Sequence, residues 1–327
     1  MRVLITGAGG FIGSHLVDSQ FERGHHVRAV DLRLDLLKHQ AGHPCLERIR
    51  GDITEKDLVR RLVEGIDVVY HLASAHLDVR LSDEQYHRVN VDATLLLLEA
   101  SKQAEVKRFV HCSSVGVIGD VKYPPADETA ECHPVNIYER TKLEGERTAL
   151  DFAHRTGLPV VVTRPAWVYG PRCQRTEKMF RTISKGRFPI FGDGKNMRHP
   201  VYISDAIRGL ELCAETPDID REVFIIAGEF PVESRGLVSL IREQLNVRSP
   251  QIYLPVILGQ AAGLVLEHTF KLIGRQTPFS RRSMDFFLKR NAYSIAKAQS
   301  RLNYQPKVDL RTGIQKTIEH MNATRPG

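Results

Sequence analysis

No apolar run in this 327-residue chain is long enough to cross a membrane. The longest, Ile252 to Leu266, is interrupted by Gln260 and followed by Glu267, whereas a spanning helix needs about 20 apolar residues. An apolar strand pattern begins at residue 2, which leaves no space for a signal peptide. We therefore expect no transmembrane segment and a cytoplasmic location.

Cysteine and clustered charge are both scarce. The five cysteines are scattered and free of C-x-x-C spacing, which excludes a disulfide framework and a zinc site and fits a reducing compartment. The 46 Lys and Arg residues exceed the 39 Asp and Glu residues, but they form no long run and have no interleaved aromatics. This pattern favours an anionic small-molecule substrate over nucleic acid. The length allows one two-lobed domain or two intimate domains.

Glycine is concentrated in the stretch Thr6 to Gly13, between an apolar run and an amphipathic helical pattern. In a strand–turn–helix unit, Gly7 would allow the tight turn, Gly10 would admit a pyrophosphate, and Gly13 would let helix and strand pack closely. The N–H groups at the helix start, at Phe11 and Ile12, would hold the phosphates. An ordinary glycine loop is the alternative.

A carboxylate at the end of the second apolar strand supports the dinucleotide interpretation. Asp31 follows the strand His26 to Val30 at about the 20-residue spacing at which an acid binds the adenosine ribose. An acid there favours NAD, because a 2′-phosphate would meet a like charge, although Arg33 leaves NADP as the less favoured cofactor.

Two further strands extend this unit. A strand from Leu46 to Arg50 leads into Asp52 and Ile53, which would meet the adenine or, for Asp52, cap a helix from Glu55 to Glu64. The strand Val68 to Leu72 ends in small residues, beginning with Ala73, that would leave space for a cofactor over the sheet edge. A capping-box pattern at Ser82 then opens a long helix that carries Asn90 near its apolar face, where the amide needs partners.

Hydroxyl and amine side chains follow the fifth strand, Arg108 to Cys112. Ser114 would emerge at the carboxyl end of that strand, where open parallel sheets bind ligands. Tyr138 and Lys142 are four residues apart and so share one helix face, where the ammonium would favour the phenolate. Tyr138 would then act as an acid or base, although such a pair also arises by chance on many helices.

Taken together, these motifs resemble the extended short-chain dehydrogenase/reductases, the family of NAD-dependent epimerases, dehydratases and sterol-type dehydrogenases. The matching segments cover most of the chain in order: TGAGGFIG, GDIT, YHLAS, NVDATLLLLEAS, VKRFVHCSSVGVIG, YERTK, RPAWVYGPR and GDGKNMRHPVYISD. The resemblance implies a Rossmann fold with a doubly wound parallel sheet, a smaller C-terminal substrate-binding lobe, and a homodimer.

The resemblance also implies site roles. Ser114 orients the substrate oxygen, Tyr138 is the acid/base, and Lys142 holds the nicotinamide ribose. Residues on the cofactor side would be Gly7, Gly10, Phe11, Ile12, Gly13, Asp31, Asp52, Ile53, Leu72, Ala73, Tyr138, Lys142 and Pro165.

Regular strand–helix alternation stops after the sixth strand, Pro159 to Thr163, so we predict an NAD-binding domain over 1–165 and a substrate lobe over 166–327. Strands near Pro200–Ile203 and Val223–Ile226 are expected to return to the main sheet. The segment Ser294 to Leu302 is similar to the closing helix of the family.

The substrate lobe carries two arginines of interest. Arg198 is similar to the arginine that binds the diphosphate in nucleotide-sugar enzymes of this family. Arginine suits a diphosphate because its planar fork can bond two oxygens. Arg282 resembles a second, looser clamp, and a solvated surface charge is the alternative for both. Trp167 stands where many sugar-nucleotide epimerases have an asparagine, so it would line a differently shaped substrate pocket.

The apolar segment Leu254 to Gly274 is similar to the hydroxysteroid dehydrogenase branch. Its residues would line a lipid pocket or, as we favour on general burial tendencies, form a packed core helix.

The two residues after Ser114 reduce the number of reactions that the resemblance allows. The 4,6-dehydratases of the family have Asp-Glu where this chain has Val115 and Gly116, and decarboxylases use the same Glu. Hydride chemistry on a secondary alcohol therefore remains. Because Arg198 lies in a segment similar to the family's diphosphate motif and the net basic charge fits such an anion, epimerisation of a nucleotide sugar by transient oxidation, most favourably at C4, is the predicted function. A 3β-hydroxysteroid or sterol-type dehydrogenase, a keto-sugar reductase and a non-catalytic NAD-binding regulator remain as alternatives.

Overall fold

Strands and helices alternate through the first half of the chain and become irregular after it. A computed structural model describes residues 1–40, 42–76, 80–272, 279 and 281–324, without the side chains of 271, 272, 281 and 282. The strands are β1 (Arg2–Thr6), β2 (His26–Asp31), β3 (Leu46–Arg50), β4 (Val68–His71), β5 (Arg108–Cys112), β6 (Val160–Pro165), β7 (Trp167–Tyr169), β8 (Ile190–Phe191), β9 (Met197–Arg198), β10 (Pro200–Tyr202), β11 (Val223–Ile226), β12 (Val232–Glu233) and β13 (Tyr253–Leu254).

Helices cover both sheet faces and build the second half. They are α1 (Phe11–Glu22), α2 (Lys56–Val63), α3 (Asp83–His87), α4 (Ala93–Gln103), α5 (Ile137–Thr156), α6 (Gln174–Ser184), α7 (Ile203–Glu215), α8 (Ser234–Gln244), α9 (Val256–Leu272), α10 (Asp285–Leu288), α11 (Ala296–Leu302) and α12 (Leu310–Ala323). A π-helical turn, Arg88–Asp92, joins α3 to α4, so the long helix expected there has a bulge at Asn90.

The main sheet confirms the Rossmann prediction. Its parallel strands lie in the order β3-β2-β1-β4-β5-β6-β11. From β1 the chain adds strands first toward one edge, ending at β3, and then, starting with β4, toward the other edge, so the order of strand addition switches between β1 and β4. Side chains alternate between its faces, as a period of two requires: Val3 and Ile5 join one hydrophobic core and Leu4 joins the other. The carboxyl ends of β1 and β4 therefore form the crevice in which this fold binds ligands.

One strand lies elsewhere than predicted. β11 joins the main sheet beside β6, but the expectation that the Pro200–Ile203 strand joins it is wrong, because β10 pairs with β7 in a separate two-stranded sheet. Pro200 has no N–H to donate, which suits a short pair better than a sheet interior. The domain boundary at 165/166 stays a prediction.

Helix α9 also departs from expectation. A packed core helix was favoured, yet Ile257 is 69% exposed and Val265 is 62% exposed.

Within the described part of the chain, no helix is long and apolar enough to cross a membrane.

Candidate active site

The glycine turn is held tightly between β1 and α1. Gly7 has a φ of 70°, and a Cβ there would lie 2.6 Å from the Ala73 nitrogen at the end of β4. A Cβ on Gly13 would overlap the Gly7 carbonyl oxygen. Gly10 is the N-cap of α1, and no side chain among the described residues caps this helix. Its first N–H groups and helix dipole therefore suit an anionic group such as a pyrophosphate.

Asp31 is fixed against this turn. Its carboxylate accepts hydrogen bonds from the backbone N–H groups of Gly9 and Arg33, both at 3.0 Å, while burial raises the pKa of the carboxyl group. A Cβ on Gly9 would overlap the Arg33 carbonyl oxygen, so Gly9 is a required glycine that the motif assignment missed. The remaining lone pairs of Asp31 suit ribose hydroxyls.

Asp52 does not cap helix α2, so that alternative is wrong: the N-cap is Glu55, and Asp52 instead accepts the N–H of Thr54 at 2.9 Å. The side chain of Ile53 is buried in the core, with 5% of the residue exposed. Three other predicted cofactor residues, Leu72, Ala73 and Pro165, lie at or just beyond the carboxyl ends of β4 and β6. All five roles stay predictions.

Helix α5 brings Lys142 to the end of β5. Its ammonium donates to the Cys112 carbonyl oxygen at 2.5 Å, and burial lowers the pKa of this lysine. Two residues farther along, Ser114 is half-buried and its hydroxyl oxygen accepts the N–H of Gly116 at 3.0 Å. The Lys142 amine and the Ser114 hydroxyl, both predicted from sequence, are thus connected through the backbone from Cys112 to Ser114.

Tyr138 lies on the same helix, half-buried, with its ring against the edge of the His76 imidazole at a centroid separation of 4.5 Å. Sequence reasoning missed His76 as a neighbour of the acid/base candidate. Its only sequence signal is its position, just after the small residues that follow β4.

Glu139 is a second residue that the sequence did not identify. It is buried, accepts the Val135 N–H at 2.9 Å, and pairs with the Lys289 ammonium at 2.8 Å. A Cβ on Gly116 would lie 3.4 Å from Glu139 Cγ. The Glu139 side chain therefore fills the space beside Gly116, where the 4,6-dehydratases have a Glu. With both oxygens engaged, Glu139 is a structural acceptor rather than a proton donor to substrate.

Asn90 joins three parts of the site from the π-helical turn. Its amide oxygen accepts from the Ser74 hydroxyl at 3.0 Å and the Ala75 N–H at 2.8 Å, and its nitrogen donates to the Thr141 hydroxyl at 2.9 Å. A Cβ on Gly145 would overlap the Asn90 carbonyl oxygen, so α5 requires a glycine at this position. The expectation that Asn90 finds partners is confirmed.

We expect Asn90→Ala to lower the free energy of unfolding by about 1–3 kcal/mol, because buried partners on the strand loop and α5 lose their hydrogen bonds. Urea unfolding measures the change. The control is Asn322→Ala on the exposed face of α12, where the expected change is within about 0.5 kcal/mol. Equal effects of the two substitutions would contradict the role of Asn90.

Arg198 is buried, and no carboxylate in the described part of the chain is bound to it. The residue is 9% exposed, no described carboxylate forms an ion pair with it, and its Nε has no hydrogen-bond partner among the described residues. With the Asn291 amide oriented to satisfy its neighbours, its oxygen accepts from Nη1 of Arg198 at 2.6 Å, and the guanidinium lies 4.9 Å from the centre of the Phe286 ring. Burial lowers the pKa of Arg198 to about 10. A bound anion would compensate this charge.

The segment from Lys289 to Asn291 links Arg198 to helix α5. Lys289 pairs with Glu139, next to Tyr138, while the Asn291 N–H donates to the Met197 carbonyl at 2.9 Å. The arginine and the acid/base candidate are therefore held by one three-residue bridge.

Aromatic rings line the region beside Arg198. Trp167 is half-buried, stacks on Tyr169 at 5.7 Å, and meets the Phe286 ring edge at 6.0 Å. Its role as a substrate contact stays a prediction. The side chain of Arg282, the second predicted clamp, lies outside the described residues. The part of the chain that the structure describes contains no group of three His, Cys, Asp or Glu side chains placed to hold a metal ion.

Comparisons with known proteins fit this geometry. Residues 3–227 match the model of the NAD dependent epimerase/dehydratase family. A Bacillus subtilis relative named as an uncharacterized UDP-glucose epimerase, YtcB, is 30% identical over 347 residues and covers 100% of both chains. A 3β-hydroxysteroid dehydrogenase/Δ5→4-isomerase from Mycobacterium tuberculosis is 31% identical over 330 residues, covering 93% of this chain and 86% of that relative.

Among solved structures, the chain is similar to a UDP-glucuronic acid 4-epimerase from Bacillus cereus in complex with UDP-glucuronic acid and NAD. The TM-score is 0.82 at 26% identity, covering 99% of this chain and 100% of the other.

Proposed function

The chain belongs to the NAD dependent epimerase/dehydratase family, and from that premise we propose that it epimerises a nucleotide-diphospho-sugar at one ring carbinol, with C4 favoured. The observation that carries this proposal is that Arg198 is buried and that no carboxylate among the described residues is bound to it. A diphosphate would supply the missing anion, and the planar guanidinium can bond two of its oxygens. Similarity to enzymes named for UDP-sugars adds support.

The residues around β5 would carry the proton chemistry. Tyr138 takes the carbinol proton, Ser114 orients the oxygen as it becomes a ketone, and Lys142 holds the cofactor ribose and favours the phenolate. A bound NAD, held by Asp31 and Lys142, would supply the acceptor for the hydride of the carbinol carbon and the donor for its return to the opposite face of the sugar. Trp167 and its aromatic neighbours exclude water while the keto-sugar turns over. Neither Val115 nor Gly116 offers the extra acid that dehydration needs.

The chain's own residues suit NAD. The uncapped start of α1 offers N–H groups to the pyrophosphate, and the fixed Asp31 carboxylate offers acceptors to the adenosine ribose.

We expect NAD to bind at least about tenfold more tightly than NADP, because a 2′-phosphate would lie against Asp31, and like charges brought together cost several kcal/mol. Calorimetric titration of both cofactors measures this. Asp31→Ser should narrow the preference, and Asp35→Ser, at a nearby exposed acid, should leave it unchanged. A clear preference of the native protein for NADP would mean that Arg33 controls the site.

A sterol-type dehydrogenase is the second candidate. The aromatic cluster of Trp167, Phe286 and Phe188 beside Arg198 favours an apolar alcohol, and the mycobacterial relative acts by name on hydroxysteroids. Such an enzyme would consume NAD stoichiometrically and would have little use for a buried arginine.

A substrate panel separates the two functions. The protein is incubated with UDP-, GDP- and dTDP-sugars and examined by NMR of the ring protons, while the absorbance of reduced nicotinamide is followed on steroid alcohols. A change of sugar configuration without net reduction of NAD supports the proposal. Steroid-dependent reduction of NAD without any sugar product transfers the assignment to the sterol branch.

We further propose a cytoplasmic homodimer, on the resemblance to the family. Light scattering coupled to size-exclusion chromatography tests the dimer, and a mass corresponding to a single 37.0 kDa chain would contradict it.

A further inference from the structure

Helix α9 presents an apolar face to solvent. Ile257 and Leu264 lie on one stripe of the helix and are 69% and 53% exposed, and the adjacent Leu258 and Val265 are 53% and 62% exposed. We call the outer α9 face the set of exposed apolar residues Ile257, Leu258, Ala261, Ala262, Leu264 and Val265. No charged residue occurs in the sequence between Arg248 and Glu267.

The opposite side of α9 is built for close packing. Gly259 and Gly263 are buried, and a Cβ on Gly259 would lie 2.5 Å from Met284 Sδ and 2.8 Å from the Phe191 ring. A surface helix usually packs its large apolar side chains inward and faces water with polar ones. Here the small residues face inward, so the protein core does not require the large apolar residues of the outer face.

The sequence on both sides of this face is basic. Between Glu243 and Asp285 the sequence has one acidic residue, Glu267, and five basic residues: Arg248, Lys271, Arg275, Arg281 and Arg282. The Arg281–Met284 turn contacts α9, so the backbone that carries two of these arginines lies beside the helix. An apolar helix face within a basic stretch of sequence has the composition that binds anionic lipid surfaces.

The dimensions favour a helix lying on the surface of a bilayer. The uncharged apolar part of α9, Val256 to Leu266, ends at Glu267 and extends about 16 Å, whereas the hydrocarbon core of a bilayer is about 30 Å thick. Ile252 and Tyr253 continue the exposed apolar surface just before the helix, and tyrosine favours the boundary between lipid and water.

We propose that the outer α9 face docks on an anionic lipid bilayer, with α9 parallel to the membrane plane. The docked face lies close to the active site, because Phe191 under α9 packs on Phe287, which packs on Phe286 beside Arg198. This inference goes beyond the proposed sugar chemistry and does not depend on it.

Vesicle sedimentation tests the docking. The native chain is expected to sediment with phosphatidylcholine vesicles that contain phosphatidylglycerol, and less with pure phosphatidylcholine or at high salt, which screens the basic residues. Ile257→Ser/Leu264→Ser should weaken binding on the order of a hundredfold, roughly tenfold for each large apolar side chain removed. The matched control is Gln260→Ser/Thr269→Ser, which changes two exposed polar positions of the same helix and should shift binding less than about threefold.

Two results would overturn the proposal. One is failure of the native chain to bind the anionic vesicles. The other is an oligomer, measured by equilibrium sedimentation, that dissociates in Ile257→Ser/Leu264→Ser but not in the control, which would make the outer α9 face an interface between copies. Circular dichroism of both variants tests whether the fold is kept.

Discussion

Replacing Tyr138 by phenylalanine is expected to reduce turnover by roughly a hundred- to ten-thousand-fold, the usual contribution of a positioned acid/base. The substitution removes one oxygen and keeps the ring, so its packing against His76 should survive. The affinity for NAD should therefore change little. Epimerisation rates by NMR and calorimetric titration of NAD measure the two quantities.

Two further variants sharpen this result. Lys142→Ala should weaken both turnover and cofactor binding, because the proposed role of the amine includes the cofactor ribose. Tyr123→Phe, at a tyrosine that is 88% exposed, should change neither. Retained activity in Tyr138→Phe would rule out the proposed mechanism whatever the substrate is.

Arg198→Met is expected to reduce kcat/KM for a nucleotide sugar on the order of a hundredfold, since hydrogen bonds to charged groups contribute about 1.5–3 kcal/mol each. The loss should not come from unfolding. No carboxylate among the described residues is bound to Arg198, so its removal leaves no ion uncompensated, and the free energy of unfolding should fall by at most about 1 kcal/mol for the lost hydrogen bond to Asn291. Kinetics on the active sugar and urea unfolding separate the two effects.

The comparison variants are Arg198→Lys and Arg155→Met. Lysine keeps the charge but loses the planar fork, so Arg198→Lys should recover part of the activity. Arg155 lies on the surface of α5, its side chain 60% exposed, and its replacement should leave kcat/KM unchanged. An Arg198→Met enzyme with native kcat/KM on nucleotide sugars would separate this arginine from substrate binding and favour the sterol branch.

Local sequence patterns predicted the nucleotide-binding half well. β3 and β5 have the predicted bounds, and the glycine turn between β1 and α1 was recognised from its residues alone. The capping box at Ser82 is present, with its hydroxyl accepting the Gln85 N–H. Such signals depend on the few residues next to each turn or cap, which the sequence displays directly.

Pairing between distant segments was less predictable. The pattern of β10 is apolar and extended, which is equally consistent with a place in the main sheet or beside β7. Helix α12 was not anticipated, although Asp309 caps it by accepting the Thr312 N–H at 3.0 Å. The sequence of a short strand indicates its length and which side chains share a face, but its partner depends on which neighbouring strand has a free edge.

By itself, the sequence determined the parallel α/β class, the glycine turn with Asp31, and the residue types of the candidate catalytic set. Only the tertiary structure decided that Arg198 is buried with no carboxylate of the described residues bound to it, that Glu139 pairs with Lys289, and that α9 turns its apolar face outward. The physical reason is that burial and charge compensation depend on which distant segments pack together. Identical residues in another packing would have other neighbours and another electrostatic environment.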